Sequence, residues 1–298
     1  MSRQVQITAC IVCRNEADKL QACLDSVAWV DEIIVLDLES TDGSSSVARA
    51  AGATVVEHAR VPIVELVRNE LAALAKHEWI LVLDPDERLA PALEPRLREI
   101  IADDSCDAVV IPRTNLDFGH PPSHWSQRYE PQLRMYRRSV VRWPEIPNAL
   151  PAVPHERVRR IPDHDDLVIL HERSRNISEV LDRSIRYAPP GARAMIEAGT
   201  TFSAGAMINA LWRETDRKLL TPRAWRDGLP GLVRASVLIS FKLHVWIEFW
   251  QQSGGQRTAG DDAAVRRLGW ILEPLRLGSR VATRLAAIAG RRRRTDAH

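Results

Sequence analysis

The sequence predicts an α/β protein in which a mostly parallel sheet is flanked by helices and followed by a helical extension. Three observations support this. Short apolar segments alternate with helical periodicity over the first hundred residues, as in βαβ units with right-handed crossovers. After about residue 105 the pattern changes to strands around long loops, and from residue 177 onward it is helical. We therefore expect a first domain over 1–175, with halves 1–105 and 106–175, and a helical extension over 176–298.

The individual elements follow from hydrophobic periodicity and from turn residues at their ends. Four strands are predicted in the first half: Val5–Cys13, Glu32–Asp37, Thr54–Glu57 and Trp79–Leu83. The helices between them are Ala17–Val27, Ser44–Ala51 and Ile63–Leu74. Later strands are Ala108–Pro112, Leu133–Arg137 and Leu167–His171, and the clearest later helix is Ile177–Ala188.

Composition excludes several classes of protein. The 41 basic residues nearly balance the 39 acidic ones, which argues against a nucleic-acid binder, although the arginine run 291–294 suits an anionic surface. No apolar run reaches the roughly 20 residues that a spanning helix needs. No secretory signal pattern is present, and we expect reduced, structural thiols in the cytoplasm. These thiols belong to Cys10, Cys13, Cys23 and Cys106.

Polar residues follow the predicted strands at the point where each strand ends. Asn15 and Glu16 come after the first strand, Asp37 ends the second, and Asp84 and Asp86 follow the fourth. Ligands of open parallel sheets bind beyond the carboxyl ends of the strands. Hard cations prefer oxygen ligands and usually take one or two protein carboxylates, the rest being phosphate and water. The sequence thus predicts a site for Mg²⁺ or Mn²⁺ and a diphosphate at this edge.

Three segments in order carry a family resemblance: Ala9–Glu16, Val35–Gly43 and Leu83–Glu87. Together they resemble a family-2 inverting glycosyltransferase of GT-A fold, the Rossmann-like fold of nucleotide-diphospho-sugar transferases. The pattern is most similar to enzymes that extend lipopolysaccharide core and other cell-envelope glycans. The resemblance covers about residues 5–175 and continues more loosely to about residue 250. It implies a sugar donor activated by a nucleotide, most simply UDP.

The resemblance also implies roles for particular residues. Matching positions for the nucleotide are Asn15, Glu16, Asp37, Arg68, Asn69 and Asp84. Matching positions for the metal are Asp84 and Asp86, and His155 either completes the metal shell, touches a phosphate or makes a structural hydrogen bond. His171 matches a further family position, to which no role is assigned.

Inversion needs one base that deprotonates the acceptor hydroxyl. The family places an acid shortly before a strand with the pattern Q-x-R, and here that strand contains Gln132 and Arg134. Glu130 is therefore the candidate base, and Asp117 is the alternative. A second interpretation of Glu130 is a solvent-facing ion pair with a nearby arginine.

The last third of the chain predicts two amphipathic helices. Leu229–Trp250 has tryptophans at its apolar edge, with Arg234, His244 and Glu248 opposite, and Ile271–Ala289 is a weaker case with basic residues. Such segments suit the anionic inner face of the cytoplasmic membrane. The alternative is that they pack on the first domain or form a dimer.

The function expected from the sequence is metal-dependent, inverting transfer of a sugar from a nucleotide diphosphate to a cell-envelope glycan or lipid-linked acceptor. One alternative is a non-catalytic membrane scaffold of the same fold. Another is a nucleotidyltransferase that makes sugar nucleotides, but its glycine-rich phosphate loop is missing, since Arg14, Asn15 and Glu16 follow the first strand.

Overall fold

The computed structural model describes residues 5–102, 104–122, 128–145, 151, 153–256 and 258–273. The chain divides into two compact units, Met1–Asn176 and Ile177–His298. The first unit contains the sheet, and the described part of the second is helical.

The first unit alternates strands and helices up to residue 102 and is mostly strand thereafter. Its strands are β1 Ile7–Cys13, β2 Glu32–Asp37, β3 Thr54–Glu57, β4 Trp79–Leu83, β5 Glu87–Leu89, β6 Ala108–Asp117, β7 Glu130–Arg137, β8 Val158–Arg160 and β9 Ile169–Ser174. Its helices are α1 Ala17–Ser26, α2 Ser44–Ala50, α3 Glu65–Leu74 and α4 Leu93–Ala102.

The strands form one mixed sheet in the order β3-β2-β1-β4-β7-β6-β9-β5, and β8 pairs with β6 outside this path. The pairings within the group β1 to β4 are all parallel, and β7 is antiparallel to both β4 and β6. β6 therefore runs in the direction of β4, and β9 is parallel to β6. The prediction of a mostly parallel α/β sheet is confirmed. Because of these directions, β1, β2, β4, β6 and β9 all end at one edge, which we call the carboxyl edge.

Both faces of the sheet are buried, which explains why β1 and β4 are apolar at nearly every position. Ile7, Ala9 and Ile11 pack in one core cluster, together with Cys13. Cys10 packs in a second cluster. The two thiols thus lie on opposite faces, as the period of two in a strand requires. All four cysteines are free and buried.

The second unit consists of helices α5 Ile177–Glu197, α6 Ala204–Thr215 and α7 Gly228–Gln252, and a further helical stretch over 259–273. A short π-helical turn, Asp216–Leu220, and a 3₁₀ turn, Ala224–Asp227, connect α6 to α7. Among the described residues, no helix is both long enough and apolar enough to span a bilayer.

The packing of α7 corrects part of its predicted amphipathic pattern. Trp246 is buried and lies edge-to-face with Phe249 and Phe202, with ring centroids 5.7 and 6.1 Å away. Arg234, expected on the polar face, is 2% exposed and donates to Asp227 at 3.3 Å. A projection assigns polar residues to solvent, but a buried partner keeps Arg234 inside the unit. From residue 274 onward, the second amphipathic segment lies outside the described residues. The arginine run 291–294 lies outside them as well.

Candidate active site

The loops after β1 and β2 are joined at the carboxyl edge by Asn15. Its backbone N–H donates to Ser40 Oγ at 2.9 Å, and its Oδ1 accepts from the Thr41 N–H at 2.7 Å. Asn15 adopts φ 54°, a left-handed conformation that asparagine tolerates better than most residues. The amide oxygen of Asn15 is therefore engaged in shaping the loop that borders the site.

Asp37 ends β2 and is 4% exposed. Its Oδ2 accepts from the Ser40 N–H at 3.1 Å. Its Oδ1 is buried and has no hydrogen-bond partner in the described part of the chain. Buried polar atoms are nearly always hydrogen-bonded, and leaving one unpaired costs stability. The free acceptor at the end of β2 is what a ligand N–H or O–H would satisfy.

Glu16 lies near the acids that follow β4. Burial raises the pKa of Glu16, the nearby Lys19 opposes this, and the charge of Asp86 raises it further. Lys19 Nζ is 3.6 Å from Glu16 Oε2. The end of β1 and the loop after β4 therefore bring their carboxylates close enough to affect each other.

Asp84 and Glu87 share one guanidinium. Arg134 Nη2 donates to Asp84 Oδ2 and to Glu87 Oε1, both at 2.6 Å, and Arg68 lies 3.6 Å from the other oxygen of Asp84. Burial would raise the pKa of Asp84, but Arg134 and then Arg68 outweigh it and lower this pKa to about 2. Asp84 is thus ionised and already neutralised by arginines.

Asp86 makes a different set of contacts from Asp84. Its Oδ2 lies 3.2 Å from His171 Nε2, and the other ring nitrogen of His171 lies 2.6 Å from Asn115 Oδ1. His171 is on β9, directly opposite Glu87 of β5. Asp86, His171 and Asn115 therefore form one continuous line of polar contacts at the carboxyl edge.

Both ends of the Asn69 amide are hydrogen-bonded within the protein. Its Nδ2 donates to the Trp143 carbonyl at 2.8 Å, and its Oδ1 accepts from the Trp143 N–H at 3.0 Å. The Trp143 ring lies under the guanidinium of Arg68, 4.4 Å from the ring centroid. Asn69 therefore positions the tryptophan that supports Arg68, and Arg68 is the member of the predicted pair that reaches Asp84.

Glu130, the candidate base, begins β7 at the carboxyl edge. Its Oε2 accepts from Arg113 Nη2 at 2.8 Å, and its side chain is 37% exposed. Burial would raise the pKa of Glu130, but hydrogen bonds from Arg113 and Asn115 lower it. The alternative base, Asp117, is 3% exposed and bound by both Nε and Nη2 of Arg173. Of the two acids, Glu130 is the one that a substrate can reach.

The register of β8 and β9 corrects the prediction for His155. His155 lies on an exposed 3₁₀ turn just before β8, and β8 pairs with Ala108–Val110 at the start of β6. His171 pairs with Asn115, seven residues further along β6, which is about 23 Å in a strand. His155 is therefore at the opposite edge of the sheet, and the histidine beside the acids is His171.

Sequence reasoning missed this because the pair His-Glu occurs twice after the fourth strand, at 155–156 and at 171–172. The signal that separates the two is position: His171 ends the predicted strand Leu167–His171, whereas His155 ends no predicted strand. The arginines Arg113 and Arg134 were missed as site residues as well, since both lie within predicted or observed strands and their acidic partners are far away in sequence.

The residues present fit a cation that takes most of its ligands from a substrate. Among the described residues, no three His, Cys, Asp or Glu side chains come together to hold a metal. Asp86 and His171 offer one carboxylate oxygen and one imidazole nitrogen. Mg²⁺ is usually bound through one or two carboxylates plus phosphates and water, and Mn²⁺ accepts imidazole as well. Two protein ligands are therefore sufficient for an ion that arrives with a diphosphate.

Comparison with known proteins agrees with this geometry. Residues 8–153 match the model of the family described as Glycosyl transferase family 2. A TPR repeat-containing protein of Synechococcus elongatus is 35% identical over 136 residues, which is 44% of this chain and 34% of that protein. The chain thus aligns with about a third of the length of this relative.

Two further proteins are similar over more of their length. The lipopolysaccharide core biosynthesis glycosyltransferase LpsC of Rhizobium meliloti is 25% identical over 250 residues, 79% of this chain and 88% of that protein. The mannosyltransferase PcManGT of Pyrobaculum calidifontis, solved in complex with GDP-Man and Mn²⁺, matches with 16% identity and a TM-score of 0.44 over 93% of this chain and 83% of that chain.

Proposed function

We propose that this chain moves a sugar from a UDP-sugar donor to a cell-envelope glycan or lipid-linked acceptor, with inversion at the anomeric carbon. Residues 8–153 match the Glycosyl transferase family 2 model. The observation that carries the proposal is the buried, unpartnered Oδ1 of Asp37 on the same edge as Asp84 and Asp86. Asp37 is paired with Cys13 of β1, and Asp84 follows the residue paired with Ile11. The two acids are thus two strand spacings apart across β1, about 10 Å.

In this proposal, Asp37 accepts a hydrogen bond from the nucleotide base and Asn15 and Glu16 border the nucleotide pocket. Asp84, held by Arg68 and Arg134, lies between the base and the diphosphate. The arginines add positive charge near the phosphates, and charge-assisted hydrogen bonds to phosphate are among the strong ones in proteins. Asp86 and His171 hold Mg²⁺ or Mn²⁺, which when bound neutralises negative charge on the leaving diphosphate.

The proposed reaction is a single displacement. The acceptor oxygen forms a bond to the anomeric carbon as the bond from that carbon to the diphosphate oxygen breaks, and the nucleoside diphosphate leaves. The hydroxyl proton goes to Glu130, which Arg113 keeps ionised and ready to accept it. A carboxylate with a lowered pKa is a weak base, so proton transfer is favourable only once the acceptor oxygen has begun to bond to carbon.

The proposal is tested by titration calorimetry with UDP, GDP and dTDP, each with and without Mn²⁺. We expect UDP to bind and Mn²⁺ to strengthen the binding. Absence of binding by all three nucleotides in the presence of Mn²⁺ would contradict the proposal. Hydrolysis of UDP-glucose and UDP-N-acetylglucosamine then tests turnover, and Asp86→Ala should abolish it. A scaffold protein would bind no donor and would be unaffected by this substitution.

His155 provides a matched control for the cation site. His171→Ala should weaken Mn²⁺ binding in the presence of UDP about 10-fold or more, because it removes one of two protein ligands. His155→Ala removes the same side chain at the other edge of the sheet and should leave the affinity unchanged. Equal losses in the two variants would contradict the placement of the ion.

We also propose that the second unit contacts an anionic membrane surface. On α5, Ile177, Leu181 and Ile185 recur every four residues and are 56%, 47% and 73% exposed, so they form one apolar face. Arg186, next to this face, is exposed. An apolar face flanked by basic residues is the pattern of helices that lie in the membrane interface. This location would bring the enzyme to a lipid-linked acceptor.

Vesicle sedimentation tests this contact. The protein should sediment with phosphatidylglycerol vesicles more than with phosphatidylcholine vesicles, and Ile185→Glu should reduce the bound fraction. Ala194 is also exposed on α5, and Ala194→Glu is the control for added charge. Membrane contact through this face is refuted if Ile185→Glu sediments as the wild type does.

A further inference from the structure

Strand β6 presents three polar side chains in a row toward the acids of the site. Arg113, Asn115 and Asp117 alternate with residues that point to the other face of the sheet. Arg113 contacts Glu87 and Glu130, and Asp117 binds Arg173. Asn115 lies between them and is 8% exposed.

The amide oxygen of Asn115 faces a ring nitrogen of His171. Asn115 Oδ1 lies 2.6 Å from His171 Nδ1. A carbonyl oxygen can only accept. The proton of a neutral His171 ring therefore lies on Nδ1.

This proton position determines what His171 offers to the site. With Nδ1 protonated, Nε2 carries a lone pair, and that lone pair faces Asp86 Oδ2 at 3.2 Å. Nε2 and Oδ2 both carry lone pairs, so they repel each other at this distance unless a positive charge lies between them. In metal sites a ligating histidine usually donates its other N–H to a carbonyl or carboxylate, which fixes the tautomer and the ring orientation.

We infer that Asn115 is a positioning residue that sets the tautomer of His171 and thereby prepares the pair His171 and Asp86 for a divalent cation. The inference rests on the proposed function for the identity of the cation.

Two nearly isosteric substitutions separate the parts of this arrangement. Asn115→Leu removes the acceptor for the Nδ1 proton and should favour the Nε2–H tautomer. It should weaken binding of Mn²⁺ in the presence of UDP about 10- to 100-fold, the usual loss when a partner behind a metal ligand is removed. Asn115→Asp keeps an acceptor facing His171 and should bind Mn²⁺ at least as tightly as the wild type.

Thr114→Val is the matched control on the same strand. Thr114 points to the opposite face, is also buried, and donates to the Arg128 carbonyl at 3.0 Å. Its replacement disturbs β6 without reaching His171 and should leave Mn²⁺ affinity within twofold of the wild type. Mn²⁺ affinity is measured by electron paramagnetic resonance of the free ion, which needs no turnover.

The tautomer is measured directly by nitrogen-15 NMR of the histidine rings in metal-free protein at about pH 8.5, where an unperturbed imidazole is neutral. His171 is assigned by comparison with His171→Ala. The wild type and Asn115→Asp should show Nδ1–H, and Asn115→Leu should show Nε2–H. The inference is overturned if the wild-type ring carries its proton on Nε2, or if Asn115→Leu binds Mn²⁺ like the wild type.

The outcomes also separate this inference from the proposed function. If the wild type binds neither UDP nor Mn²⁺, the proposed function fails, together with the role of Asn115 in holding a cation. If the wild type binds both and Asn115→Leu does so equally well, only the inference about Asn115 fails. If Asn115→Leu does not fold, Asn115→Asp decides, since an Nε2–H tautomer in that variant overturns the inference.

Discussion

The buried guanidinium of Arg134 gives the sharpest test of how the acids after β4 are held. Arg134 is 3% exposed, and its Nη2 is shared by Asp84 and Glu87 at 2.6 Å. Arg134→Met retains most of the aliphatic volume but removes the charge and both hydrogen bonds. The variant then leaves two carboxylates with less compensation than in the wild type.

The expected cost follows from what remains around each carboxylate. Removing one partner of a buried ion pair typically costs about 3–5 kcal/mol, because the other charge stays buried and uncompensated. Here Glu87 keeps Arg113 at 2.9 Å, and Asp84 keeps Arg68 at 3.6 Å and is partly open to solvent. We therefore expect the lower end of that range, a loss of about 3 kcal/mol in the free energy of unfolding.

The measurement is urea denaturation at pH 7, followed by tryptophan fluorescence. Arg49→Met is the control, because Arg49 pairs with Glu57 at 3.0 Å on the surface, where 53% and 76% of the two side chains are exposed. Such surface pairs contribute about 0–1 kcal/mol. If Arg134→Met costs less than about 1 kcal/mol, or no more than the control, the contacts of Arg134 with Asp84 and Glu87 do not stabilise the segment after β4, and the reasoning is refuted.

Three further predictions concern pH, the base pocket and the second unit. The pKa of Asp84 is lowered from 3.8 to about 2 in the folded state. Its contribution to stability is therefore present above pH 4 and is lost as pH falls toward 2. In an acid titration, the free energy of unfolding of Arg134→Met should decline less over this window than that of the wild type. Asp37→Asn places an NH₂ group where an acceptor stands, so UDP affinity measured by calorimetry should fall about 10- to 100-fold, and unchanged affinity would exclude Asp37 from the base contact. A Cβ on Gly231 would lie 2.1 Å from the Ala224 carbonyl oxygen, so Gly231→Ala should lower the thermal midpoint, whereas Gly205→Ala, whose nearest atom is 3.8 Å away, should not.

Much of the fold was predictable because its elements are local and long enough to show a period. β1, β2 and β4 are continuous apolar runs, and the polar residues that end them mark the carboxyl edge. The three-residue strands β5 and β8 were not predicted, since three residues carry no measurable period. Their partners on β9 and β6 are brought to them only by the folded chain.

The site was predictable from the sequence only where its residues follow a strand. Asp37, Asp84 and Asp86 are found by this rule, without knowledge of any partner. Arg134 is 47 residues from Glu87, and Asn115 is 56 residues from His171, so their pairings depend on which strands become neighbours. The antiparallel insertion of β7 between β4 and β6 brings Arg134 to the acids after β4, and the pairing of β9 with β6 brings His171 to Asn115. Nothing local in the sequence indicates either pairing.

The two aspartates of the D-x-D sequence should therefore differ in function, although the sequence treats them alike. Asp84 lies within reach of Arg134 and Arg68, and a cation bound to it would have to compete with two guanidinium groups. In the described part of the chain, Asp86 Oδ2 contacts an imidazole and no guanidinium, and that imidazole, held by Asn115, presents a lone pair. A divalent ion gains the full attraction of a carboxylate only at Asp86. We thus expect Asp86→Asn to remove Mn²⁺ binding in the presence of UDP, whereas Asp84→Asn should mainly weaken binding of UDP itself. Equal loss of Mn²⁺ affinity in both variants would show that the ion bridges the two acids.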